Sequence, residues 1–102
     1  MKNEISPFSL AYRFYCSKID DNTIIFAPRD EDVVVDFLNY FLEEPYYTSI
    51  SECWENDYIL DGILLTKDEE NNWHLKVSFQ CHPLIEFDMP KTQALIEALL
   101  KV

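Results

Sequence analysis

The sequence predicts an α+β domain: a mostly antiparallel sheet of about five or six strands with two helices packed on one face, in the order ββα-ββ(β)β-α. Three observations support this. The chain has 102 residues, which suits a single domain spanning 1–102. Apolar residues make up 48% and aromatics 15%, enough for a packed core and against intrinsic disorder. Segments with period-two alternation are interrupted by two segments with helical spacing.

Phe8 to Cys16 alternates, with Phe8, Leu10, Tyr12, Phe14 and Cys16 on one side and Ser9, Ala11, Arg13 and Tyr15 on the other. That pattern predicts a half-buried strand. Asp20-Asp21-Asn22 follows as a turn, because Asp and Asn tolerate left-handed backbone and bond their own amides. Thr23 to Ala27 is a β-branched run that pairs back as a hairpin. Asp30-Glu31-Asp32 opens a helix, with Asp30 as the cap and acids complementing the dipole. Val33, Val34, Phe37, Leu38, Phe41 and Leu42 form its buried face, with Asn39 and Tyr40 toward the other side. Pro45 ends it at or before Glu44.

Tyr46 to Cys53 reads as an irregular strand. Tyr58 to Thr66 is a clearer strand, and Gly62 within it marks a bulge or a close backbone approach. Lys67 to Asn72 is a polar turn. Trp73 to Cys81 alternates Trp73, Leu75, Val77, Phe79 and Cys81 against His74, Lys76, Ser78 and Gln80, completing an antiparallel hairpin. Leu84 to Met89 forms one more short strand. Pro90 then takes the first position of a helix whose apolar face is Leu95, Ile96, Leu99 and Leu100.

The net charge is −11, and it is not spread evenly. Residues 1–28 and 73–102 are each neutral. The middle 44 residues hold 13 acids against Arg29 and Lys67 and so carry the whole excess. Such a block disfavours direct contact with nucleic-acid backbones or anionic membranes. It creates a directional field that attracts a basic partner and speeds encounter.

No apolar run approaches the ~18 residues of a membrane span. The start, Met1-Lys2-Asn3-Glu4, lacks a basic stretch followed by an apolar one, so a cytoplasmic, reducing setting is expected. Cys16, Cys53 and Cys81 are odd in number and form no C-x-x-C. Cys16 and Cys81 lie on apolar strand faces and are expected to be buried thiols.

No residue set carries catalysis, and the chain is read as a non-enzyme without cofactor or metal. A Cys–His pair using Cys53 or Cys81 with His74 finds no support in its flanking residues. His74 and His82 read as ordinary polar strand residues, and Cys81 and His82, being adjacent, point to opposite faces. The paired acids lie in turns and helix ends, where water screens them. The calcium-loop spacing is absent, and one glycine cannot build a phosphate loop.

Partner binding is better served. Ser51-Glu52-Cys53-Trp54-Glu55-Asn56-Asp57-Tyr58 places aromatics among Glu52, Glu55 and Asp57. Trp54 either fills the core or anchors a partner, with the acids pairing to its Arg or Lys. Glu43 and Glu44, and the Asp68-Glu69-Glu70 turn, are further candidate contacts or else solvated surface.

In size, acidity and α+β pattern, with the acidic block from Asp30 to Glu70 and its aromatics, the chain resembles the small acidic immunity proteins that bacteria encode beside polymorphic toxins, including contact-dependent growth inhibition systems. The resemblance rests on no motif and transfers no residue. It implies a cytoplasmic antidote that binds a cognate toxin domain, often a basic nuclease, as a monomer in a 1:1 complex. Carboxylates would then occupy the cationic field the nuclease presents to phosphates. Two alternatives are a type III secretion chaperone, which typically starts with an amphipathic helix and dimerises, and a nucleic-acid-mimic inhibitor, which needs carboxylates in rows. A small enzyme is the remaining class.

Overall fold

A computed structural model describes residues 5–42, 46–81 and 86–102. The element order is α1 (Pro7–Ala11), β1 (Phe14–Asp20), β2 (Thr23–Pro28), α2 (Glu31–Phe41), α3 (Ile50–Glu55), β3 (Leu60–Lys67), β4 (Trp73–Phe79) and α4 (Met89–Leu100). The α+β class and the antiparallel sheet hold. The sheet has four strands in the order β1-β2-β3-β4 among the described residues, not five or six, and four helices stand where two are predicted.

Each departure has a local cause. The first half of the predicted Phe8–Cys16 strand is α1. Ser6 caps it, and Pro7 sits at its start, where a missing N–H costs nothing. Leu10 and Ala11 are buried as a helical pair, and Tyr12 faces solvent. The Tyr46–Cys53 strand is replaced by a coil and α3, because Ser49 and Glu52 form a capping box. Of the predicted Leu84–Met89 strand, residues 84 and 85 lie outside the described residues. Residues 86–88 are not strand, and Met89 opens α4 under the Asp88 cap.

The remaining elements follow the pattern. Asp20 accepts from the Asn22 amide at 2.8 Å and closes the β1–β2 turn. Asp30 caps α2 at 2.9 Å. The β3–β4 register shifts between Leu60 and Gly62, leaving Asp61 as the extra residue of a bulge. A side chain at Gly62 would place its Cβ 2.9 Å from the Phe26 carbonyl oxygen, so the glycine serves a close approach.

Cross-strand partners such as Phe26, Ile63 and Val77 share the sheet face that meets the helices. With Leu10, Phe14, Phe37, Phe41, Leu95 and Leu99 they build the main core. Phe37 and Phe41 meet edge to face at 5.2 Å. In α2, Val35, Asn39 and Tyr40 are buried as well as the predicted stripe, except that Leu42 is half-buried at the C-cap. Tyr40 donates to the Lys91 carbonyl at 2.6 Å and ties α2 to the start of α4. β1 is different. Beyond Phe14 all its residues are exposed, including Tyr15, Cys16 and Ile19. The expectation of a buried Cys16 is therefore wrong: the thiol opens onto a cleft facing the last turn of α4 instead of packing beneath it. Cys81 is half-buried, and Cys53 is the fully buried thiol.

Candidate partner-binding surface

α3 is the centre of the candidate surface. Six residues make a marginal helix by themselves, and this one is held at both ends. At its start, the Ser49 hydroxyl accepts from the Glu52 amide at 3.3 Å. The Glu52 carboxylate accepts from the Thr48 amide at 2.9 Å and the Thr48 hydroxyl at 2.6 Å. Those bonds, Thr48 first, hold Glu52 below the ordinary carboxylate value.

At its end, the Tyr58 amide donates to the Cys53 carbonyl at 2.9 Å and the Asp57 amide to the Trp54 carbonyl at 3.0 Å. These are the paired bonds of a Schellman motif. Asp57 takes the left-handed position, φ 68°, usually given to glycine. In a chain with one glycine, Asp57 and Asn71 supply its described left-handed turns.

Cys53 and Tyr58 pack α3 into a second cluster with Val34, Val35, Leu38 and Tyr47. Burial pushes the Cys53 thiol up to about 11, with Glu52 adding to the shift. Ser51, Trp54 and Glu55 fall on the opposite, exposed side, with Asp57 beside them. Trp54 is 46% exposed, so the core alternative for this residue does not hold. The helix and the turn that ends it display an indole and two exposed acids on a backbone bonded at both ends.

The other predicted contacts separate from it. Glu43 and Glu44 lie outside the described residues, as does His82. Asp68 is consumed by its own turn. Its carboxylate accepts from the Glu70 and Asn72 amides at 2.9 and 3.0 Å and meets His74 Nε2 at 2.7 Å. The contact with His74 is the main reason its carboxyl lies below the usual range. Glu69 and Glu70 are exposed.

This turn adjoins the β1–β2 turn, where the Asn22 carbonyl accepts from the Lys67 amide at 2.8 Å. Asp20, Asp21, Glu69 and Glu70 therefore share one end of the sheet with Lys18 and Lys67, a grouping that only strand register could show. β3 runs between that end and α3, roughly 23 Å of extended chain. Among the described residues, the candidate contacts thus fall in two places, α3 and the hairpin tips, rather than on one face. Two further acids of the central block, Asp30 and Asp36, are bound internally by Arg13.

Sequence reading missed the capping box and the Schellman end, although Ser49-x-x-Glu52 was a visible signal for the first. Among the described residues no cluster of three metal-ligating side chains exists, and no helix is long and apolar enough to cross a membrane. No protein-family model, characterised protein or solved structure matches the chain.

Proposed function

We propose that this chain is a non-catalytic, immunity-type binding protein. In this reading it neutralises a cognate toxin domain in the cytoplasm as a 1:1 complex. The contact is the exposed side of α3, with Trp54 as anchor and Glu55 and Asp57 receiving basic side chains of the partner. One observation carries the reading: Trp54 is 46% exposed on a helix whose ends are both locked and whose exposed neighbours are acidic. A large aromatic ordered before binding loses little entropy on docking, and flanking charge raises the encounter rate. The separation of Glu55 and Asp57 from Glu69 and Glu70 by the length of β3 favours a discrete contact over the continuous row that nucleic-acid mimicry needs.

Glu52 must be left intact, since it holds the helix start. Asp57 should be replaced by Asn, which tolerates the left-handed backbone. The test titrates the purified product of the adjoining reading frame with wild type, W54A and the pair E55K/D57N. W54A is expected to weaken binding about thirtyfold, about 2 kcal/mol. E55K/D57N is expected to slow association and reduce its salt sensitivity. Both variants should keep the wild-type circular dichroism spectrum. Unchanged affinity and salt dependence in both variants would overturn the α3 assignment, and absence of any complex would overturn the immunity reading.

A further inference from the structure

The helix-side face of the sheet is apolar where α2 and α4 cover it, but it changes character toward the hairpin tips. Lys18 pairs across the strands with Ile24, and Lys67 pairs with Trp73, so both lysines occupy rows of the inward face. Lys18 is exposed and Lys67 half-buried, so the inward row turns from apolar to basic toward the hairpin tips. The two lysines border a cleft of about 580 Å³ between the sheet and the last turn of α4. Its floor is Ile24, Trp73 and Leu99, and Cys16 opens onto it. The Lys67 ammonium lies 5.5 Å from the centre of the Trp73 ring. Among the described residues Asp21 is the one acidic side chain lining the cleft, and it reaches Lys18 only loosely, at 3.9 Å with both side chains well exposed.

In a chain of net charge −11 with eight bases, two of those bases converge on one cleft with an apolar floor. The size falls within the ordinary range for small-ligand sites, roughly 300–1,000 Å³. We infer that this cleft binds a small amphiphilic anion, an aliphatic or aromatic carboxylate. Its apolar body would lie on Ile24, Trp73 and Leu99, and its carboxylate would be held by Lys18 and Lys67. Charge-assisted bonds at the rim select the anion, while the floor supplies most of the attraction. The site is remote from α3 and independent of the partner-binding reading.

The probe is micelle-free sodium decanoate, with decanol as the uncharged control. The sequence has two tryptophans, so in a W54F background Trp73 is the sole indole reporter. Decanoate is expected to shift Trp73 fluorescence saturably and to slow iodoacetamide labelling of Cys16, read by peptide mass. K18M/K67M keeps the apolar floor and removes both charges. It should weaken decanoate binding roughly tenfold or more while decanol binding stays unchanged. K67Q alone provides a second, milder variant, expected to fall between the two. No saturable response to decanoate would overturn the site. Equal affinity for decanol and decanoate, or unchanged decanoate binding in K18M/K67M with its fold intact, would overturn the anionic class.

Discussion

Replacing Asn39 tests how α3 is held against the rest of the molecule. Asn39 is the one polar side chain buried in the core among the described residues, 3% exposed. Its Nδ2 donates to the Tyr47 carbonyl at 2.7 Å, and its Oδ1 accepts from the Tyr47 amide at 2.9 Å. These two bonds carry the chain after α2 back against that helix and set Tyr47 beside Tyr58, 5.9 Å between ring centres. Asn39→Ala leaves an amide and a carbonyl buried without partners. Each such orphan costs about 1–3 kcal/mol, so a loss of about 4 kcal/mol is expected.

Against a total of about 5–15 kcal/mol, that is a large fraction of the fold. A urea melt followed by far-UV circular dichroism should show the midpoint lowered by about 2 M, taking an m-value of ~1.5–2 kcal/mol/M. N39D checks the direction. One carboxyl oxygen still accepts from the Tyr47 amide, but the other satisfies the Tyr47 carbonyl only when protonated. The folded-state pKa of that carboxyl is therefore raised. Its contribution is present below the unfolded value, about 4, and is lost as pH rises through the folded one. The deficit of N39D relative to wild type should shrink on acidification. A loss below about 1 kcal/mol in N39A, or an N39D deficit that ignores pH, would refute the claim that these bonds organise the α2–α3 connection.

Two further expectations concern stability. Glu52 is held below its ordinary 4.5 by hydrogen bonds from Thr48 and then Ser49, so its contribution is present above that value and lost as pH falls through the folded one. Melting temperatures of wild type and E52Q should therefore differ near neutral pH and converge in acid; a gap of constant size at all pH would contradict the assignment. Gly62→Ala forces a Cβ to within 2.9 Å of the Phe26 carbonyl oxygen and should cost about 1–3 kcal/mol in thermal or urea melts, whereas a neutral effect would mean the strands separate freely at the bulge.

Much of the fold was legible because its signals are local. The β1–β2 and β3–β4 turns are spelled by Asp and Asn, and the α2 start by Asp30. The errors occurred where two periods competed. Residues 8–12 alternate as a strand should, yet the Ser6 cap and Pro7 make the helix cheaper for the backbone. Tyr46 to Cys53 has no clean period, and its answer lay in the spacing of Ser49 and Glu52 rather than in hydrophobicity. For the candidate surface, the residue types were visible in sequence, but the division between structural and available carboxylates was not. Glu52 and Asp68 look like Glu55 and Glu70 until their hydrogen bonds are seen.

The charge, its concentration between residues 29 and 72, the two hairpins and the helices α2 and α4 follow from the residues alone. These depend on neighbours a few positions apart. Packing between distant elements is what turns Trp54 to solvent, leaves Cys16 uncovered, and separates Glu55 and Asp57 from Glu69 and Glu70. Periodicity says which residues share a face. Whether another element covers that face depends on strand register and helix length, which bring together residues distant in sequence.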